Sequence, residues 1–166
     1  MGHTFAGSFI WTPRFSKHWL ARDWQLSGTS TIYTGPPFTP RVANYSYTNG
    51  EASRPDRVQK GTVSNPSPDL WFDRTAFPVV PLGAYRFGSS GRNILDGPGA
   101  IVINTSISRR VRFAENRSFQ FRLEVFNLPN HPNFNLPENN VDIATGGTIN
   151  RAKNNRNLQM GLRLEF

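Results

Sequence analysis

Residues 158–166 read Leu-Gln-Met-Gly-Leu-Arg-Leu-Glu-Phe. In an extended chain successive side chains point to opposite faces, so Leu158, Met160, Leu162, Leu164 and Phe166 share one side. Gln159, Gly161, Arg163 and Glu165 share the other. A helix would throw Met160 to the side opposite Leu158 and Leu162, so the period of two points to a strand with one apolar and one polar face.

The same alternation recurs upstream. In HTFAGSFIWT, Phe5, Phe9 and Trp11 oppose Thr4, Ala6 and Ser8, with Ile10 as the exception. In WQLSGTSTIY, Trp24, Leu26 and Ile32 oppose Gln25, Ser27, Thr29 and Thr31. In AIVINTSIS, Ile101, Ile103, Thr105 and Ile107 oppose Val102, Asn104, Ser106 and Ser108. In SFQFRLEVF, Phe119, Phe121, Leu123 and Val125 oppose Gln120, Arg122 and Glu124. Each run is about ten residues, enough to cross a bilayer at a tilt, whereas strands of soluble proteins are mostly about five or six. Connections between the runs alternate short and long: 13–23, 34–99, 109–117 and 128–157. Outer-membrane barrels have short periplasmic turns and long extracellular loops, and a soluble sandwich has no reason to keep that rhythm. The expected fold is all-β: a partial antiparallel transmembrane β-barrel of about five strands, with long extracellular loops at 34–99 and 128–157.

Composition narrows the alternatives. No run approaches the roughly 20 apolar residues of a membrane helix, so any crossing has to use strands. With no cysteine among 166 residues, disulfides and thiolate chemistry are excluded. A net charge of +8 raises the question of nucleic acid. The basic residues are scattered apart from Arg109, Arg110 and Arg112, a pattern that reads as a solvated face; no nucleic-acid partner is expected. The three arginines stand beside the short turn at the inner end of the third run, where interfacial side chains reach toward lipid head groups. The N-terminal MGHTFAGSFI lacks the layout of a signal peptide.

The polar face carries the charge. Gln120, Arg122 and Glu124 on the fourth run, and Gln159, Arg163 and Glu165 on the fifth, are expected to face the wet lumen, where opposite charges on neighbouring strands can pair. The segment 34–99 holds nine of the thirteen prolines, so it is read as a long loop. Its aromatics Phe38, Tyr45, Tyr47, Trp71, Phe72, Phe77, Tyr85 and Phe87 are expected mainly to pack it, with ligand contact as the other reading. No catalytic constellation stands out: His3, His18 and His131 have no metal-ligand spacing, and no nucleophile elbow or P-loop occurs. Asp69, Asp73 and Asp96 read as turn residues. No enzyme activity, cofactor or metal is expected.

Several stretches together, RPDRV, PDLWFDRTAF, YRFGSSGRNILDGPGA, FRLEVFNLPNHPNFNLP and LQMGLRLEF, resemble the C-terminal barrel part of TonB-dependent outer-membrane receptors. The resemblance is to the large-barrel kind with a carboxypeptidase-regulatory-like N-terminal domain found in acidobacteria, and it covers nearly the whole of 1–166. It implies an outer-membrane location, a lumenal plug and energy-coupled nutrient uptake. Implied partners are outer-membrane lipid, the remaining strands and plug of the same receptor, and the TonB complex through an N-terminal part not in this sequence. The terminal row Leu158, Met160, Leu162, Leu164 and Phe166 resembles the signal read by the barrel-assembly machinery. Because even the smallest barrels need about eight strands, the five runs are expected to be part of a larger barrel. The alternative weighed beside it is a soluble β-rich module that binds carbohydrate or another surface ligand.

Overall fold

A computed structural model describes residues 2–13, 22–42, 53–153 and 155–166. Two compact units share the chain: one comprises His3–Tyr33, Ala100–Asn133 and Asn154–Phe166, the other Met1–Gly2, Thr34–Gly99 and Phe134–Lys153. They are called the sheet unit and the loop unit.

The strands in chain order are β1 (Thr4–Trp11), β2 (Trp24–Tyr33), β3 (Pro37–Phe38), β4 (Thr62–Ser67), β5 (Leu70–Phe72), β6 (Leu95–Asp96), β7 (Ala100–Ala114), β8 (Arg117–Phe126), β9 (Asn133–Phe134), β10 (Ala152–Lys153) and β11 (Asn157–Glu165). The five long ones, β1, β2, β7, β8 and β11, form one sheet in that order, and every neighbouring pair is antiparallel. All five alternating runs of the sequence are therefore strands of a single meander. One boundary differs from the sequence reading. β7 runs 15 residues to Ala114, leaving Glu115 and Asn116 as a two-residue turn, so Arg109, Arg110 and Arg112 lie inside a strand. The hairpin was set too wide because its arginines and Phe113 interrupt the simple apolar alternation, although backbone pairing continues through them with a register irregularity between Arg112 and Ala114.

Register decides what each face carries. Across β8 and β11 the pairs Val125–Leu158, Leu123–Met160, Phe121–Leu162 and Phe119–Leu164 alternate with Glu124–Gln159, Arg122–Gly161, Gln120–Arg163 and Ser118–Glu165. Between β7 and β2, Ile101–Ile32 and Ile107–Leu26 lie on the apolar side, while Asn104–Thr29, Ser106–Ser27 and Ser108–Gln25 lie on the polar side. β1 joins with Phe5 opposite Ile32, Phe9 opposite Gly28 and Trp11 opposite Leu26. A Cβ on Gly28 would sit 2.6 Å from the Phe9 ring, so the glycine leaves room for the aromatic to lie across the strand. A slip of one residue would carry every apolar side chain to the wrong face, which is why a two-faced sheet holds its register strongly.

The core lies elsewhere. Of the buried hydrophobic residues, Phe38, Val42, Phe72, Ala76, Phe77, Val80, Leu95, Val141 and Ile149 belong to the loop unit, and Ala100 alone to the sheet. Phe72 stands at the centre, 1% exposed, with ring centroids 5.6 Å from Phe38 and 6.0 Å from Phe77, the latter edge to face. Two two-stranded pieces, β3–β6 and β4–β5, and a single 3-10 turn at Arg74–Ala76 frame this cluster. The second long connection joins the same body. Arg41 N–H donates to Asn139 O at 2.8 Å, Trp71 N–H to Gly147 O at 2.8 Å, and Ile149 N–H to Pro68 O at 2.7 Å. Two loops some hundred residues apart in the chain thus share one core containing Phe72 and Val141.

Replacing Phe72 by Ala is expected to destabilise the loop unit by about 3–5 kcal/mol, the usual cost of emptying a buried aromatic site. Amide hydrogen exchange at Trp71, Asp73 and Phe77 should speed up together, while the amides of β8 keep their protection; unchanged exchange at those three amides would contradict the placement of Phe72.

Candidate functional site

The sheet surface is the first functional feature. Leu158, Met160, Leu162 and Leu164 lie on one face and remain largely exposed, Met160 at 68%; Phe166 follows the end of β11 and is also exposed. Phe5, Phe9, Trp11, Ile32 and Phe119 extend the apolar row across the other strands. A contiguous apolar surface of this kind is not left in water by a soluble monomer, and among the described residues of the sheet unit no second layer covers it. A soluble antiparallel sheet would bury this face in a core, and the described residues of the sheet unit form none.

Gln120, Arg122, Glu124, Gln159, Arg163 and Glu165 share the opposite face by register. Their ion pairs differ from the cross-strand expectation. Arg122 Nη1 lies 3.8 Å from Glu124 Oε1, and Arg163 Nη2 lies 3.2 Å from Glu165 Oε1, both along a strand. The reason is register: Arg122 stands opposite Gly161 and Glu165 opposite Ser118, so the nearest opposite charge is two residues away on the same strand. Between strands there are a hydrogen bond, Ser118 Oγ donating to Glu165 Oε2 at 2.7 Å, and one long ion pair, Arg110 Nη2 of β7 4.0 Å from Glu165 Oε1.

The arginine cluster separates by face. Arg110 and Arg112 point with the polar row, opposite Gln120 and Ser118. Arg109 joins the apolar row between Trp24 and Phe121, and its guanidinium carbon lies 5.5 Å from the Trp24 ring centroid. An arginine over an aromatic ring, with Trp11 on the adjoining strand, is the composition of a membrane–water boundary, where amphipathic side chains keep the stem in the apolar layer and the head in the polar one.

His131 sits in a bend built by asparagines. Asn127, in the left-handed region at φ 52°, accepts from His131 N–H at 3.1 Å and donates through Nδ2 to His131 O at 3.0 Å. Asn133 extends β7 with its side chain, accepting from Ile101 N–H at 2.8 Å and donating to Ile101 O at 3.0 Å. This is structural work for NLPNHPNF.

In the loop unit the aromatics divide. Phe38, Phe72 and Phe77 are core and Trp71 packs against it, whereas Tyr85 (86% exposed) and Phe87 face solvent; Tyr45 and Tyr47 lie outside the described residues. Asp73 caps the 3-10 turn, accepting from Thr75 N–H at 2.9 Å and from Thr75 Oγ1 at 2.7 Å. Asp96 lends its backbone carbonyl to Trp71 Nε1 at 3.0 Å.

A feature missed by sequence reasoning is the lock between RPDRV and YRFGSSGRN. Asp56 receives both Arg86 nitrogens, Nη1 and Nη2, at 2.6 Å, and Ser89 N–H at 3.1 Å. Arg54 Nη1 donates to Ser90 O at 2.9 Å, Ser90 N–H to Pro55 O at 3.0 Å, and Arg57 N–H to Ser89 Oγ at 3.0 Å. Gly88 lets the two segments touch: a Cβ there would overlap the carbonyl oxygens of Arg54 and Pro55. The one available signal was two Arg-bearing motifs in a single proline-rich loop.

The paired hydrogen bonds from Arg86 hold the Asp56 carboxyl at about 2, below its ordinary 3.8, with burial opposing and the Ser89 N–H assisting; Asp56 in turn raises Arg86. Because the folded carboxyl is the more acidic one, its contribution is complete above the ordinary value and is lost as pH falls through the depressed one.

A long-stranded antiparallel meander with one bare apolar face and no core beneath it defines a membrane-spanning β-sheet protein. The family model for the outer membrane beta barrel domain matches residues 1–159, and the chain belongs to that family. It is a protein of the bacterial outer membrane. No curated protein and no solved structure matches it.

Acidifying from about pH 4 to pH 2 is expected to loosen the segment 85–90, read as faster hydrogen exchange at Ser89 and Ser90. Asp56→Asn should show fast exchange at every pH and lose the acid dependence; an unaltered acid profile in that variant would place the titrating group elsewhere.

Proposed function

We propose that the chain forms part of the barrel wall of a TonB-dependent outer-membrane receptor, a non-enzymatic transporter that takes up a nutrient with energy coupled from the inner membrane. The observation that carries this reading is the open sheet: among the described residues β1 pairs only with β2, and β11 only with β8. In hydrocarbon each unpaired backbone group costs several kcal/mol, so further strands must close the ring. In this reading they belong to the same receptor, whose plug fills the lumen of a barrel of about 22 strands. The resemblance of RPDRV, YRFGSSGRNILDGPGA and the terminal alternation supports that size class, as does a loop unit large enough to hold its own core.

The roles follow from this arrangement. The row Leu158, Met160, Leu162, Leu164 and Phe166 contacts lipid and is the feature for the barrel-assembly machinery. Gln120, Arg122, Glu124, Gln159, Arg163 and Glu165 line the lumen. Coupling to the TonB complex passes through an N-terminal part of the receptor, and no nucleic acid takes part.

An antibody against the loop unit should detect, in native outer membranes of the source bacterium, a polypeptide several times larger than the 18.7 kDa of this chain. A single band near that mass in the soluble fraction would sink the receptor reading.

A further inference from the structure

Within the loop unit, Thr39, Arg41, Arg54, Arg92 and Asn93 line a cavity of about 440 Å³. Three arginines line one space, and among the described residues none of the lining ones is a carboxylate. Among the described residues none of the three arginines takes part in an ion pair, although the same unit pairs Arg86 tightly with Asp56. Three like charges around a concave surface repel one another and raise a positive potential that a bound anion relieves. The volume lies within the few hundred to about 1,000 Å³ usual for small-molecule sites.

The walls are tied by hydrogen bonds, most of which engage the main chain, which separates this cavity from a chance meeting of flexible side chains. Asn93 N–H donates to Thr39 Oγ1 at 2.9 Å, and Thr39 Oγ1 donates to Asn93 Oδ1 at 3.3 Å. Asn139 Nδ2 donates to Thr39 O at 3.0 Å, and the backbone of Arg41 is held on both sides, by Asn139 O at 2.8 Å and Val141 N–H at 2.9 Å. Arg54 uses Nη1 on Ser90 O at 2.9 Å, which orients its guanidinium and leaves its other nitrogens for a ligand. The segments bearing Arg54 and Arg92 are those the Asp56–Arg86 pair brings together, since Arg54 precedes Asp56 and Arg92 follows Ser90, while Arg41 comes from a third segment.

We propose that this cavity is a binding site for a phosphate-bearing anion. A carboxylate offers two oxygens, whereas a phosphate offers three or more, enough for separate guanidinium groups and the Asn93 Nδ2 amide to share. The same chemistry can arrive as a dissolved phosphorylated solute or as the phosphate of a lipid head group. The proposal is independent of the transport reading, because every lining residue lies in one self-contained unit.

The test titrates the full chain in detergent micelles with two probes: inorganic pyrophosphate by calorimetry, and phosphatidic acid mixed into the micelles by fluorescence. Saturable binding of pyrophosphate assigns a dissolved ligand, and saturable binding of phosphatidic acid alone assigns a lipid head group; either supports the site. Arg41→Gln and Arg92→Gln, two exposed arginines whose side chains carry no internal bond, should each weaken binding by about tenfold, the usual loss of one charge-assisted hydrogen bond. Arg151→Gln combined with Lys153→Gln removes two exposed charges of the same unit outside the cavity and should leave affinity unchanged. Absence of saturable binding to both probes overturns the proposal. So does an equal loss in the Arg151/Lys153 variant, which would mean diffuse attraction to a basic chain.

Discussion

Inside a bilayer a backbone N–H or C=O has no water to bond, and this requirement governs the sheet unit. Strands can satisfy it only by pairing with neighbours, and the meander of β1, β2, β7, β8 and β11 does so in unbroken sequence order. Once pairing is fixed, the register is not free. An arginine on the lipid side near the midplane costs about 2–4 kcal/mol, which favours lipid contact for the rows containing Leu123 and Leu162 over the opposite rows containing Arg122 and Arg163. Arg109 breaks this rule and shows its limit. Over the ring of Trp24, the first residue of β2, a guanidinium on the apolar face can lie at head-group level, where the cost falls to about 0–1 kcal/mol.

The two units solve the burial problem in opposite ways. In the sheet unit lipid takes the place of a core, and apolar side chains such as Met160 and Leu162 stay bare in the protein itself. The loop unit builds a core of its own around Phe72, drawing on both long connections. Polar chemistry then holds the outer part of that unit: the Asp56–Arg86 pair, with Asp56 largely shielded at 17% side-chain exposure, clamps two proline- and glycine-rich segments that have little regular structure. Two of the three cavity arginines, Arg54 and Arg92, flank that clamp.

How much of this the sequence reveals depends on the range of the signal. Period-two alternation is local, and it located all five long strands and sorted Leu158–Phe166 and Gln120–Glu124 onto their faces. The limits of β7 were less legible, because Arg109, Arg110 and Phe113 disturb the alternation while the backbone pairing carries on to Ala114. Charge pairing was misassigned for a related reason: composition shows that Arg122, Glu124, Arg163 and Glu165 are near one another, but only the register shows that Gly161 and Ser118 stand between the opposite charges. The loop unit was the least readable part. Its bonds join Arg41 to Asn139 and Asp56 to Arg86, and no periodicity within either segment records such partners. Even there, Phe38, Phe72 and Phe77 were expected to pack the loop, since large aromatics in a proline-rich segment of this length need somewhere dry to go.

The central claim is that β11 presents alternate side chains to lipid and to an aqueous interior. The absence of native cysteine makes a direct measurement possible. Single cysteines placed at each position from 158 to 165, spin-labelled in outer membranes containing the protein, can be read against a lipid-soluble and a water-soluble relaxation agent. Positions 158, 160, 162 and 164 should respond to the lipid-soluble agent, and 159, 161, 163 and 165 to the water-soluble one, in strict alternation. Uniform response to the aqueous agent along the strand, or the opposite phase, would contradict a membrane-spanning sheet with this register.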